Sequence, residues 1–219
     1  MSKGTALIVG VGPGLGLALA EAFARDGHPV ALFGRNRERL EKHAAELTGQ
    51  GFTARAYQAD AGDAEALRAA LGRSVDDLGA PVALVYNASV LQADTPTGLA
   101  ADAWAQTLAV NVTGAVVATR TVLPLLRDGR GSLLFTGGGF ALQPSPEYTT
   151  VSVGKAALRA YVQALHEDLR GSGVHASTVT VSGYIGGEDP RFAPDVLAAA
   201  YLDLHHQPQD QWQAELVYA

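Results

Sequence analysis

The densest chemical signal in the chain is Gly10-Val11-Gly12-Pro13-Gly14-Leu15-Gly16, which follows a short apolar run and opens a helical pattern. A tight turn, a backbone that a pyrophosphate can approach closely and close helix-strand packing each require a missing Cβ. The start of a helix adds unpaired N–H groups and positive potential. Phosphate binding by main chain is therefore expected, with Gly10, Gly12, Gly14, Leu15 and Gly16 forming the cradle. Such a loop is often only a turn; the strand before it and the helix after it carry the expectation.

A second station is Leu32-Phe33-Gly34-Arg35-Asn36-Arg37. In a dinucleotide fold an acidic residue at the end of the second strand would hydrogen-bond the ribose hydroxyls of NAD. Gly34 removes that carboxylate, and Arg35, with Arg37 close by, offers a planar donor fork to a 2′-phosphate. NADP(H) is expected in preference to NAD(H). The plainer alternative is that these arginines decorate the solvated start of a helix, although a cation there opposes the helix dipole.

The elements that must position these groups alternate along the chain. Strand-like runs lie at Thr5 to Val9, Pro29 to Phe33, Thr53 to Gln58, Val82 to Tyr86, Ser132 to Thr136, His175 to Val181 and Glu215 to Val217. Most are continuously apolar, as strands covered on both faces are. Helical patterns fall at Leu15 to Arg25, Arg37 to Leu47, Ala64 to Leu78, Ala103 to Leu126, Ser152 to Arg170 and Asp195 to His205. Right-handed crossovers then give a doubly wound α/β fold of the Rossmann type, a mostly parallel seven-stranded sheet whose ligands bind outside the carboxyl ends of its strands. One domain over residues 1–219 is expected, since no linker or repeat divides the chain.

Composition narrows the chemistry. Hydrophobic residues make up 47% of the 219 and charged ones 17%, a globular balance. There is no cysteine, which excludes disulfides, thiolate nucleophiles, Fe-S clusters and zinc sites that need sulfur. A net charge of −6 without a basic run argues against nucleic acid. No apolar stretch long enough for a membrane span and no targeting segment is expected, hence a soluble cytoplasmic protein. Six histidines lack the spacing of a metal site, and no metal is expected.

The chain resembles the short-chain dehydrogenase/reductase superfamily. Gly10, Gly14 and Gly16 fit its G-x-x-x-G-x-G loop, Asp60 in Gln58-Ala59-Asp60 its adenine-contacting acid, and Tyr86-Asn87-Ala88-Ser89 a degenerate form of its Asn-Asn-Ala-Gly segment. Asn111 in Asn111-Val112-Thr113-Gly114 matches its active-site asparagine and Lys155 its catalytic lysine. The resemblance runs over roughly residues 4 to 185. It implies a cofactor site that also includes Ala61, Asn87, Ala88, Lys155, Gly183 and Ile185.

The same resemblance exposes what is missing. Four positions before its lysine the family carries the tyrosine that gives the proton, and this chain has Val151; thirteen positions earlier, where the family has a serine, stands Gly138. After the sixth strand the family's Pro-Gly reads Ser182-Gly183, and a threonine position falls on Gly187. Losing a general acid typically costs about 10²- to 10⁴-fold in rate, and one oxyanion-type donor about 10²- to 10³-fold.

Replacement donors are available. Tyr148, three positions before Val151, would lie one turn back if the helix extended that far, and it is the candidate phenol. Packing over the cleft or a subunit contact is its plainer role. Tyr184 could enter the same cleft from the other side, Ser152 and Ser182 could hydrogen-bond a substrate, and Lys155 could polarise an oxygen itself. Glu188 and Asp189 lie in a short substrate lid around residues 183–194, as possible bases or as a solvated loop. The helices around Ala115 and Ala157 are apolar over much of their circumference, and in this family they form a dimer interface, so a homodimer or homotetramer is expected.

Three functions remain open at this level. The first is an NADP(H)-dependent oxidoreductase acting on a carbonyl, hydroxyl or activated C=C of a small molecule through Lys155, Asn111 and Tyr148. The second is a non-redox isomerase, cyclase or dehydratase in the same cleft. The third is a non-catalytic NADP(H)-binding protein.

Overall fold

The computed structural model describes residues 3–126 and 131–219. Strands β1 (Thr5–Val9), β2 (Val30–Gly34), β3 (Ala54–Gln58), β4 (Pro81–Tyr86), β5 (Gly131–Thr136), β6 (Val174–Val181) and β7 (Glu215–Tyr218) form one sheet in the order β3-β2-β1-β4-β5-β6-β7. Every neighbouring pair is parallel. The helices are α1 (Leu15–Arg25), α2 (Arg37–Gly49), α3 (Ala64–Leu78), α4 (Ala101–Leu108), α5 (Gly114–Val122), α6 (Thr149–Asp168) and α7 (Pro194–His206).

Alternation of side chains along each strand explains the layers. Leu7 and Val9 of β1, Ala31 and Phe33 of β2, Leu84 and Tyr86 of β4, and Leu133 and Phe135 of β5 point to one face, against Leu67, Ala115, Ala118, Leu158 and Val162 of α3, α5 and α6. Ala6, Ile8, Val30, Leu32, Val85 and Leu134 point to the other, against Leu19, Phe23, Leu40, Leu197 and Tyr201 of α1, α2 and α7. Both faces are covered, which is why the strands read as unbroken apolar runs.

The expected single helix from Ala103 to Leu126 is instead α4, a π-helical turn at Ala109–Thr113, α5 and a 3₁₀ turn at Leu123–Leu125. Two tertiary contacts fix the break. The Tyr86 hydroxyl donates to the Val110 carbonyl at 2.6 Å, and the Asn111 side chain bonds the main chain of Val90 in both directions. Gly114 sits where a Cβ would fall 2.2 Å from the Ala61 carbonyl oxygen, so only glycine lets α5 approach this closely.

The expectation that no apolar stretch matches a membrane span also needs correction. The run Ala101–Leu125, 25 residues with mean hydropathy 1.4 in its most apolar window, is long and apolar enough by length and composition. Here it lies against the sheet, with Ala115, Ala118 and Val122 in the core. Among the described residues no group of three or more metal-ligating side chains converges.

Candidate active site

The sheet order reverses between β1 and β4, and the loops after these two strands touch. Gly10 has φ +94°, and a Cβ there would fall 2.4 Å from the Ala88 nitrogen. Gly16 is equally constrained, with a Cβ 2.4 Å from the Gly10 carbonyl oxygen. These two glycines serve packing. Gly12 and Gly14 differ, since a Cβ at either would project into open space. Among the cradle residues, then, Gly12 and Gly14 bare the backbone to a ligand, while Leu15 is buried under the helix it begins.

The start of α1 strengthens that arrangement. Asn36 Oδ1 accepts from the Arg39 N–H at the start of α2, and Asp63 Oδ1 accepts from Glu65 and Ala66 at the start of α3. At α1 the cap residue is Gly14, no side chain caps the helix and no acidic residue lies in its first turn. Its free N–H groups and positive end face the glycine cradle, which suits a pyrophosphate in shape and charge.

Asn87 ties the cradle to the end of β5. Its Nδ2 donates to the Gly10 carbonyl at 2.9 Å, and its Oδ1 accepts from the Thr136 hydroxyl at 2.9 Å. Thr136 has a single hydroxyl proton, so Tyr201, 2.7 Å away and fully buried on α7, is the donor in their contact. The Thr136 carbonyl accepts from Lys155 Nζ at 2.7 Å. One residue at the end of β5 thus links the phosphate cradle, α7 and the lysine. Thr136 and Tyr201 carried no sequence signal, because a threonine in a strand and a tyrosine on an apolar helix face read as core.

Lys155 is 8% exposed, and burial lowers its pKa to about 8. Gly138, in extended conformation at φ −171°, lies beside it: a Cβ there would sit 3.6 to 3.7 Å from the methylenes of the lysine stem, an ordinary contact. Val151, one turn earlier on α6, is 3% exposed. The two positions flanking Lys155 therefore present no hydroxyl.

Several expected site residues take other roles. Tyr148 is not on α6: the helix begins at Thr149, and Tyr148 precedes it with φ −140° and ψ 50°, so the one-turn-back geometry does not hold. Its ring stacks on Phe140 at 5.4 Å between centroids, and its hydroxyl has no hydrogen-bond partner among the described residues. The helix starts early because Asp94, in the loop after β4, accepts from the N–H and hydroxyl of Thr150. Burial alone would raise the Asp94 pKa, but these hydrogen bonds hold it below the usual carboxylate value. Asn111 is buried and spends its amide on Val90, which makes it a positioning residue for the loop after β4. Ser152, offered above as a substrate contact, instead donates to the Tyr148 carbonyl and accepts from the Ser145 N–H.

After β3, where the adenosine was expected, Asp60 is exposed, its Oδ1 accepting from the Gly62 N–H, and the buried Ala61 follows it. Arg37 is paired with Glu41 at 2.6 Å. Arg35 is exposed and makes no ion pair among the described residues, so its guanidinium is available at the end of β2. Beyond β6 the ring of Phe192 packs where a Gly183 Cβ would be, 2.3 Å away, and the Gly186 N–H donates to the Phe192 carbonyl. Ile185 packs on the same apolar cluster. Asp189 and Arg191 pair at 2.7 Å, and Arg191 also reaches the Ala219 carbonyl, so residues 183–194 are folded back against the C-terminal strand. Tyr184 is left 79% exposed.

The model for short chain dehydrogenase matches residues 4–186. The chain is 31% identical over 173 residues to 2-(S)-hydroxypropyl-CoM dehydrogenase 3 of Xanthobacter autotrophicus, spanning 78% of this chain and 68% of that protein. It is 33% identical over 178 residues to serine 3-dehydrogenase of Agrobacterium fabrum, spanning 81% and 70%. Among solved structures, a short chain dehydrogenase from Burkholderia cenocepacia in complex with NADP superposes with a TM-score of 0.87 at 27% identity, covering 97% of this chain and 94% of that one. An alcohol dehydrogenase from Thermococcus sibiricus complexed with 5-hydroxy-NADP gives 0.88 at 26% identity, covering 98% and 96%. With the family model spanning the phosphate cradle, Thr136 and Lys155 alike, this chain belongs to the short chain dehydrogenase family.

Proposed function

We propose that the chain binds NADP(H) and acts as an oxidoreductase on a carbonyl, hydroxyl or activated C=C of a small molecule, using an active site with altered proton donors. The observation that carries this reading is the open backbone at Gly12 and Gly14 facing the uncapped, positive end of α1. Arg35, exposed where a carboxylate would favour NAD, supports the 2′-phosphorylated dinucleotide. Relatives of similar fold solved with NADP or its 5-hydroxy derivative are consistent with it.

When bound, the dinucleotide supplies or accepts a hydride. The protein's part is to hold the reactants and handle the proton. Lys155, held by the Thr136 carbonyl at 2.7 Å, places a cationic donor at the reacting end. Its pKa of about 8 lies close to neutrality, where proton transfer from a side chain is most effective. Tyr148 offers a phenol without a protein partner and, stacked on Phe140, an aromatic wall. Val151 and Gly138 offer no proton and no hydroxyl, so ketone reduction is expected to be slow. Reduction of an activated C=C asks less of an oxygen-side donor and fits the site better.

The test is a fluorescence titration with NADPH and NADH. Tighter binding of NADPH is expected, and no signal with either would overturn the reading. A second copy of the chain is proposed to cover the outward face of α6, where Val153, Ala156, Ala160 and Ala164 are exposed. Light scattering at working concentration would show a dimer or tetramer; a monomer would remove that part of the proposal.

A further inference from the structure

We propose that Lys155 is also a nucleophilic amine, which captures the carbonyl group of a small neutral aldehyde or ketone as a Schiff base at the carboxyl end of β5. The inference rests on the preceding reading only in placing Lys155 at the reacting end of the site.

The chain contains three lysines, and two are engaged by carboxylates: Lys3 lies 2.8 Å from Asp26, and Lys42 lies 3.9 Å from Glu46. Lys155 has no carboxylate within ion-pair distance among the described residues, and its one hydrogen bond there is to a main-chain carbonyl. That contact orients the amine. A carbonyl oxygen only accepts, so it holds an N–H of Lys155 and turns the lone pair of the neutral amine away from the Thr136 axis.

The flanks of the lysine are bare. Val151 fills the preceding turn of α6 with aliphatic surface, and Gly138 leaves unfilled the space that a side chain beside the stem would take. Burial unbalanced by a counter-charge disfavours the ammonium, which brings the pKa down to about 8. At pH 7 about a tenth of Lys155 is then the neutral amine, against under about a thousandth of an ordinary lysine.

The chemistry balances without an oxidant. The Nζ lone pair forms a bond to the carbonyl carbon, and the carbonyl oxygen takes up a proton to give a carbinolamine. Loss of that oxygen as water, with a second proton, leaves a carbon-nitrogen double bond, cationic when protonated. One water is released per capture, and nothing is oxidised or reduced. The cationic imine draws electrons from a neighbouring C–H or conjugated C=C, which is the service a proton on oxygen gives in a site with a phenol. A lysine without tyrosine or serine neighbours can thereby activate a carbonyl covalently.

The experiment is reductive trapping on the unmodified protein. Butanal with sodium cyanoborohydride at pH 7 would convert a captured imine to a stable secondary amine, located by peptide mass spectrometry. Lys155 is expected to label about tenfold faster than Lys42, a margin smaller than the difference in neutral-amine fraction because the site is buried. In urea the selectivity should vanish. Labelling of Lys155 no faster than Lys42 would overturn the inference. An NADPH titration on the same preparation separates the two readings: cofactor binding without selective labelling sinks the Schiff base alone. Selective labelling without cofactor binding sinks the oxidoreductase alone.

Discussion

The side-chain amide of Asn87, at the end of β4, donates to the main-chain carbonyl of Gly10, at the end of β1, across 2.9 Å and 77 positions of sequence. It ties down the glycine loop proposed to cradle the phosphates, while its other atom accepts from Thr136. Replacing Asn87 by Ala strips the Gly10 carbonyl of its side-chain donor and leaves Thr136 with Tyr201 alone. A loss of about 1 to 3 kcal/mol in unfolding free energy is expected, with weaker NADPH binding. Denaturant unfolding would measure it; an unchanged midpoint would show that Asn87 does not hold the cradle.

Two glycines four positions apart in sequence should respond in opposite ways to alanine. Gly10→Ala places a Cβ against the Ala88 main chain at positive φ and is expected to unfold or strongly destabilise the protein. Gly14→Ala adds a methyl in open space, so it should cost far less stability than Gly10→Ala while NADPH affinity falls about tenfold or more. If Gly14→Ala binds NADPH as tightly as the parent, the phosphates do not lie against that backbone.

Arg35 and Arg37 differ in what they are free to do. Arg37 is engaged by Glu41, whereas Arg35 is unpaired among the described residues. Arg35→Ala should weaken NADPH by about tenfold, near 1.4 kcal/mol, and leave NADH unaltered, while Arg37→Ala should change neither. Equal losses for both cofactors would remove the 2′-phosphate from the role of Arg35.

Introducing hydroxyls at positions 138 and 151 tests the proposed site directly. A serine at 138 fits, since its Cβ would meet the Lys155 stem at ordinary contact distance. The double change Gly138→Ser with Val151→Tyr should raise diketone reduction by about 10²-fold, provided that the folded state is retained by circular dichroism. A folded variant without added activity would place the defect in the pose of the reactants.

Acid stability should depend on His205, whose ring lies 2.7 Å from the Ser132 hydroxyl. Burial, reinforced by the neighbouring His28 and His206, lowers its pKa from 6.5 to about 4. The unfolded chain then binds more protons than the folded one between these values, so stability falls as pH drops from about 6.5 toward about 4. His205→Gln should flatten that part of the profile of melting temperature against pH; an unaltered slope would assign the acid sensitivity elsewhere.

Local pattern carried much of the molecule. Seven strand-like runs, the cradle from Gly10 to Gly16 and the arginine at the end of β2 were legible because strand alternation, a glycine turn and a missing carboxylate are properties of neighbouring residues. The tertiary structure decided what depends on residues far apart. Asn111 became a positioning group because Val90 faces it across a π-helical turn, and α6 begins at Thr149, ahead of the expected Ser152 yet short of Tyr148, where Asp94, 56 positions before Thr150, accepts from its N–H. Thr136 joined Asn87, Tyr201 and Lys155, three residues that share no spacing and meet only where β4, β5, α6 and α7 come together. Sequence fixes which side chains exist and which local shapes they prefer. The cost of burying a polar group unpaired selects their partners, and that cost is set only when the layers close.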